Sequence, residues 1–173
     1  METHSDRQPG SSLRQGDTMI RDFQHWAVHL RSRQVTLGSL VLTCKDTAPT
    51  MASLTLEAFQ ELKQVIDETE ATLSGLFSYD KLNYLVLMMV DPHVHFHVIP
   101  RYGSQRNFGG MAFLDPSWPQ PPDTLLIHET SDDLLEQLRD HFRSHWKARL
   151  NWIDGDAKGS RPANPLATEK ALD

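Results

Sequence analysis

The sequence holds a single cysteine, Cys44, among 173 residues. An internal disulfide is therefore excluded, and a reducing cytoplasm is the expected compartment. Long apolar runs are also missing. The longest, Tyr84 to Val90, falls far short of the roughly 20 residues that a membrane-spanning helix needs. The first residues carry no apolar segment suited to a signal peptide, so no membrane partner is expected. Basic residues are in deficit, 17 Lys and Arg against 23 Asp and Glu, for a formal net charge of −6. That balance argues against a nucleic-acid polymer gripped by a basic surface, though not against a single nucleotide in a local pocket. There is no Gly-rich phosphate loop, no internal repeat, no Cys-X-X-Cys and no His-Glu-X-X-His.

What is present suits one α+β domain. At 19.7 kDa the chain is long enough to enclose a sizeable core. Residues 1–18 and 153–173 are polar and rich in Gly, Pro and Ser, so both are expected to be disordered tails around a domain at 19–152. His25 to Arg31 alternates, with Trp26, Val28 and Leu30 on one face and His29 and Arg31 on the other, which predicts a strand. A second strand is expected at Ser39 to Cys44 after Gly38. Thr55 is placed to cap a helix whose apolar stripe contains Phe59, Leu62, Ile66 and Leu73, with Gly75 as its expected end. Lys81 to Val90 reads as a buried strand. Asp91-Pro92 breaks it and leads into another strand, its expected antiparallel neighbour. Arg101 to Gly110 reads as a loop, in which Arg101 and Arg106 are candidates to neutralise phosphates. Leu125 to Ile127 suggests a short strand. Ser131 then caps a second helix with Leu135, Leu138, Phe142 and Trp146 on its buried stripe.

The most informative stretch is Asp91-Pro92-His93-Val94-His95-Phe96-His97-Val98-Ile99-Pro100-Arg101. Successive strand side chains point to opposite faces. Alternation therefore places His93, His95 and His97 together, neighbours about 6.5–7 Å apart, and turns Val94, Phe96 and Val98 to a core. Three roles are open to such a row. It can bind metal, although all three rings would have to splay strongly, since zinc takes nitrogens at about 2.0–2.1 Å. It can meet a chain of phosphates, because a pKa near 6.5 lets one ring stay neutral while a neighbour holds a proton. Or it can be a solvated strand face.

His93-Val94-His95-Phe96-His97-Val98-Ile99 fits His-φ-His-φ-His-φ-φ, φ being apolar, at every position, and Pro100-Arg101 follows. In this the chain resembles the histidine triad (HIT) family over roughly residues 20–150. The resemblance implies an antiparallel sheet of about five strands with two main helices, in a protein that forms a homodimer. It implies nucleotidyl transfer to water. His95 attacks the α-phosphorus of a nucleotide or dinucleoside polyphosphate, and His93 and His97 donate to phosphate oxygens, one of them serving the leaving group as acid. His97 favours the hydrolase branch, since transferase relatives usually have Gln there. The segment Asp115 to Asp123, with Trp118-Pro119, resembles a bacterial subgroup similar to diadenosine-polyphosphate hydrolases. Ser39, Asn83 and Arg101 are the implied phosphate or nucleotide contacts. No cofactor or metal is required, with Mg2+ entering only as counterion of a polyphosphate. Two departures stand out. Leu37-Gly38-Ser39 replaces the family's Pro-Gly-His, and Met88-Met89-Val90-Asp91-Pro92 replaces a longer Gly-containing loop. A nucleotide-binding module with weak or no catalysis is the alternative, and a metal-binding or interaction domain a further one.

Overall fold

The computed structural model describes residues 18–88 and 93–148. The expected tails and the Asp91-Pro92 break lie almost entirely outside those residues. The fold is α+β. Strands β1 (Met19–Asp22), β2 (Trp26–Leu30), β3 (Leu40–Cys44), β4 (Lys81–Leu85) and β5 (His95–Arg101) form one antiparallel sheet in the order β1-β2-β3-β5-β4. Helix α1 (Leu56–Phe77) joins β3 to β4, and α2 (Asp132–His145) closes the described chain. A small hairpin, β6 (Arg106–Phe108) and β7 (Met111–Phe113), turns at Gly109-Gly110, both with positive φ.

The period-two pattern sets the sheet's two faces. Trp26, Val28 and Leu30 of β2, Leu40, Leu42 and Cys44 of β3, and Val98 of β5 enter one core cluster with Val94. Ala58, Leu62, Val65, Leu73 and Phe77 of α1 and Leu134, Leu135, Leu138 and Phe142 of α2 complete it. Each fully buried side chain of this kind contributes about 1.5–3 kcal/mol. Trp26 adds a directional contact, donating from its indole to the Ala58 carbonyl at 2.8 Å. Both helices thus pack on the face that carries Val94, Phe96 and Val98, and the histidine face is turned away from them.

Several expectations are corrected. Helix α1 does not stop at Gly75. It runs to Phe77 and ends at Ser78, whose φ of 48° is left-handed. Phe59 is exposed rather than part of the stripe. The buried face of α1 also carries a charged residue, Glu68, which is fully buried. Glu68 accepts from the Trp146 indole at 2.7 Å and from Gln64 at 2.9 Å, an arrangement that satisfies a carboxylate in a core. β4 ends at Leu85 instead of continuing to Val90, and Val86 and Leu87 are exposed. The loop after Arg101 contains the hairpin. Leu125 to Ile127 is not a strand; nearby there is only an isolated bridge between Gln34 and His128. Thr55 and Ser131 cap the two helices as expected, accepting from Ala58 N at 3.1 Å and Leu134 N at 3.2 Å.

Candidate active site

β5 is the second strand from one edge, hydrogen-bonded to β3 on one side and β4 on the other. Its register fixes what shares a face with the histidines. Thr43 lies across from His95, and Val41 and Leu85 across from His97. Asn83 lies across from Ile99, and His29 of β2 across from Val41. The same alternation continues to Arg31, just past β2, whose N–H donates to the Ser39 carbonyl at 3.0 Å. His95, His97, Arg31, His29 and Asn83 are therefore brought to one side of the sheet.

The row of three rings on one strand needs correcting. Only His95 and His97 stand on β5; His93 lies in a bend before it. The part of His93 that meets the next histidine is its carbonyl, 2.8 Å from His95 Nδ1. A carbonyl only accepts, so Nδ1 must carry the proton and the lone pair resides on Nε2. His95 is 7% exposed. Among the described residues the side-chain nitrogens and oxygens sealed from solvent without a partner are Arg31 Nη1, Thr69 Oγ1 and His97 Nδ1. His95 Nε2 is not one of them and has no hydrogen bond, so the ring's small remaining exposure reaches its basic nitrogen.

His97 stands edge-on to His95, with ring centroids 5.0 Å apart. Burial, the nearby Arg31 guanidinium and His95 lower its pKa to about 4. It is neutral near pH 7. Nitrogen-15 NMR should find the His97 ring uncharged down to about pH 4. An unfolded histidine takes its proton near pH 6.5. Stability held by the neutral ring is therefore full above pH 6.5 and is lost as pH falls from there through about 4. A ring titrating at 6 or higher would contradict this environment.

The three implied phosphate contacts are placed otherwise than expected. Ser39 is fully buried, donates to the Thr36 carbonyl at 2.8 Å and accepts from Thr36 N at 3.1 Å. Its hydroxyl is used up inside a turn and has no path to a ligand. Arg101 is 3% exposed and grips Asp115 through Nε at 2.6 Å and Nη2 at 3.1 Å. It also donates to Asn83 Oδ1 at 3.0 Å and the Gln120 carbonyl at 2.8 Å, with Trp118 stacked 6.0 Å away. Arg101 thus pins the segment around Asp115–Gln120 to the end of β5, and Asn83 is tied to it through its carbonyl oxygen, which leaves the Asn83 amide N–H groups as the donors of this end of the face. Arg106 is likewise engaged, with Ser104, Phe77 and Ser78 and over the Tyr102 ring. Arg31 was visible on the polar face of its strand, but only the strand order brings it beside His97. Among the described residues no group of three or more His, Cys, Asp or Glu converges as a metal site, and no helix is long and apolar enough to cross a membrane.

No curated protein sequence matches the chain. Solved structures do, at low identity. A histidine triad protein from Bradyrhizobium japonicum superposes with TM-score 0.60 at 18% identity, over 76% of this chain and 92% of that one. A histidine triad (HIT) protein from Sinorhizobium meliloti gives 0.60 at 17%, over 73% and 87%. A hypothetical histidine triad nucleotide-binding protein from Sulfolobus tokodaii gives 0.57 at 18%, over 74% and 82%. At such identities these establish the fold. The HIT domain model matches residues 17–104, which span β1 to β5 and the whole histidine motif. With that match over half of its length, the chain belongs to the HIT domain family.

Proposed function

We propose that this protein is a nucleotidyl hydrolase that acts at the α-phosphate of a nucleotide conjugate. Dinucleoside polyphosphates, of the diadenosine kind, and nucleoside phosphoramidates are the substrate classes in view. The observation that carries the reading is the fixed tautomer of His95. With Nδ1 committed to the His93 carbonyl, Nε2 is the unprotonated nitrogen of a ring that keeps 7% exposure.

In the first step Nε2 forms a bond to the α-phosphorus, and the bond from phosphorus to the leaving group breaks. The leaving group departs with the electron pair and takes a proton. Water then attacks the same phosphorus, the P–N bond breaks back to Nε2, and a nucleoside monophosphate is released. Splitting one displacement into two in this way is what covalent catalysis supplies. His97, neutral, donates at most one N–H to a phosphate oxygen and holds no surplus proton for the leaving group. The acid role falls to His93, which is only partly buried. No resident cofactor takes part; Mg2+ enters with a polyphosphate as its counterion.

Incubation with a panel of dinucleoside polyphosphates, nucleoside phosphoramidates, and acylated or sulfated nucleotides in 18O-water is the test. A nucleoside monophosphate carrying one 18O is expected from at least one class, and no monophosphate from any class would refute the reading. The burial of His95 and the loss of Ser39 as a contact favour the second reading, a nucleotide-binding module without turnover. Calorimetric nucleotide binding with no product would select it.

We further propose that the protein works as a homodimer. β4 is an edge strand, and exposed Val86 and Leu87 lie just beyond it. Light scattering of the purified chain should give twice 19.7 kDa. A strictly monomeric mass at concentrations where it turns over would refute this.

A further inference from the structure

His141 and His145 stand at i and i+4 on α2, so their side chains share one face of the helix. Their ring centroids are 4.5 Å apart. Neither ring belongs to the histidine face of β5, because α2 packs against the core on the other side of the sheet. The pair is therefore a second cluster of imidazoles that nucleotide chemistry at His95 does not use.

Both rings are held in place. His145 Nδ1 is 2.9 Å from the His141 carbonyl and 3.0 Å from Ser144 Oγ. A carbonyl only accepts, so Nδ1 carries the proton and the lone pair of His145 is on Nε2. The Ser144 hydroxyl donates towards the carbonyls of Asp140 and His141, at 2.8 and 3.1 Å, which leaves its oxygen to accept from Nδ1 as well. A ring tied through one nitrogen to a backbone carbonyl, with the other nitrogen left basic, is how metal-ligating histidines are oriented. His141 is half-buried and leans on Phe108 and Phe77, with centroids 5.4 and 6.3 Å away. No hydrogen bond from a described residue reaches either of its ring nitrogens. The ring can turn about its terminal torsion, which is a soft one, without breaking a polar contact. Burial, and then the neighbouring His145, lower the His141 pKa from the ordinary histidine value, which keeps a lone pair available near pH 7. The surrounding charge also suits a cation. His145 is in the last turn of α2, where the helix carries partial negative charge. Arg143 shares that turn but donates to the Met19 carbonyl at 2.9 Å, towards β1.

We propose that His141 and His145 bind one divalent cation of the zinc or copper kind, with water in the other coordination positions. Neutral imidazoles suit such ions, whereas Mg2+ and Ca2+ take oxygen ligands. Two nitrogens at about 2.0–2.1 Å from one tetrahedral zinc ion stand roughly 3.3 Å from each other. Rings whose centres are 4.5 Å apart reach that span by rotation, with no change in the helix. Two protein ligands make an open, exchangeable site, unlike the closed set of four in a structural zinc site. The open positions can accept donors from another molecule.

The test uses the full chain with 15N-labelled histidine and ZnCl2 as the probe. Zn2+ should shift the Nε2 resonances of His141 and His145 saturably and with a common midpoint, the signature of one shared ion. Mg2+ at the same concentration should shift neither, and EDTA should reverse the zinc effect. In His145→Ala, an exposed position, the His141 response should weaken by about tenfold or more, because the second ligand acts at a high effective concentration. His141→Ala should weaken the His145 response in the same way. Different midpoints for the two rings, a His141 response as tight in His145→Ala as in the wild type, an equal response to Mg2+, or zinc shifts confined to His93, His95 and His97 would each overturn the site.

Discussion

His95→Ala should lower nucleotide turnover by at least about 10^4-fold, the scale on which removal of a covalent nucleophile acts. The loss should fall on kcat, with nucleotide binding retained, because the rest of the histidine face remains in place. The wild type, quenched in base during turnover, should yield a protein heavier by one nucleotidyl group, a nucleoside monophosphate less water, with the added mass on the peptide that contains His95. His95→Ala should show none. His93→Ala is expected to be milder. The carbonyl that holds His95 Nδ1 belongs to the backbone and survives the substitution, so only help to the leaving group is lost. That difference separates a nucleophile from a neighbour. Equal damage from both variants, or near-normal turnover of His95→Ala, would refute the assignment.

Asp115→Ala should destabilise the fold by about 3–5 kcal/mol, measured by denaturant unfolding. Asp115 and Arg101 are each 3% exposed, and removing one partner leaves a buried charge without compensation. The carboxylate also accepts from Tyr102 N at 3.2 Å, so a backbone donor is orphaned as well. The double variant Arg101→Met with Asp115→Leu should recover part of the loss, since an apolar pair of similar volume avoids the unpaired charge. A single-variant cost below about 1 kcal/mol would mean that the pair is not a structural clamp, and Arg101 would again be available to a ligand.

The reach of the sequence differs from residue to residue. Alternation along β2, β3 and β5 showed which side chains enter the core, because burial of one sheet face imposes a period of two. The caps Thr55 and Ser131 were legible for a similarly local reason: a short polar side chain before an apolar period has one nearby use. Arg101 was not legible. Its position at the end of the histidine strand is visible, but its partner Asp115 is 14 residues on and reaches it only through the fold. Ser39 was misjudged on the same grounds, since its hydroxyl turns back to Thr36. Glu68 was not legible either, since the Trp146 indole that holds it lies 78 residues away. Arg31 needed the strand order, which no local pattern supplies. Chemistry carried by one strand could be read directly, whereas chemistry assembled across strands could not.

The flanking of β5 by β3 and β4 has a dynamic consequence. A strand laddered along both edges can detach only when two sets of backbone bonds open together, so its amides exchange through global rather than local opening. The platform under His95 and His97 is thereby as stiff as the molecule permits. Any adaptation to ligands of different size must then come from the connections around the sheet, and drift in those connections would alter selectivity while the reacting group stayed put.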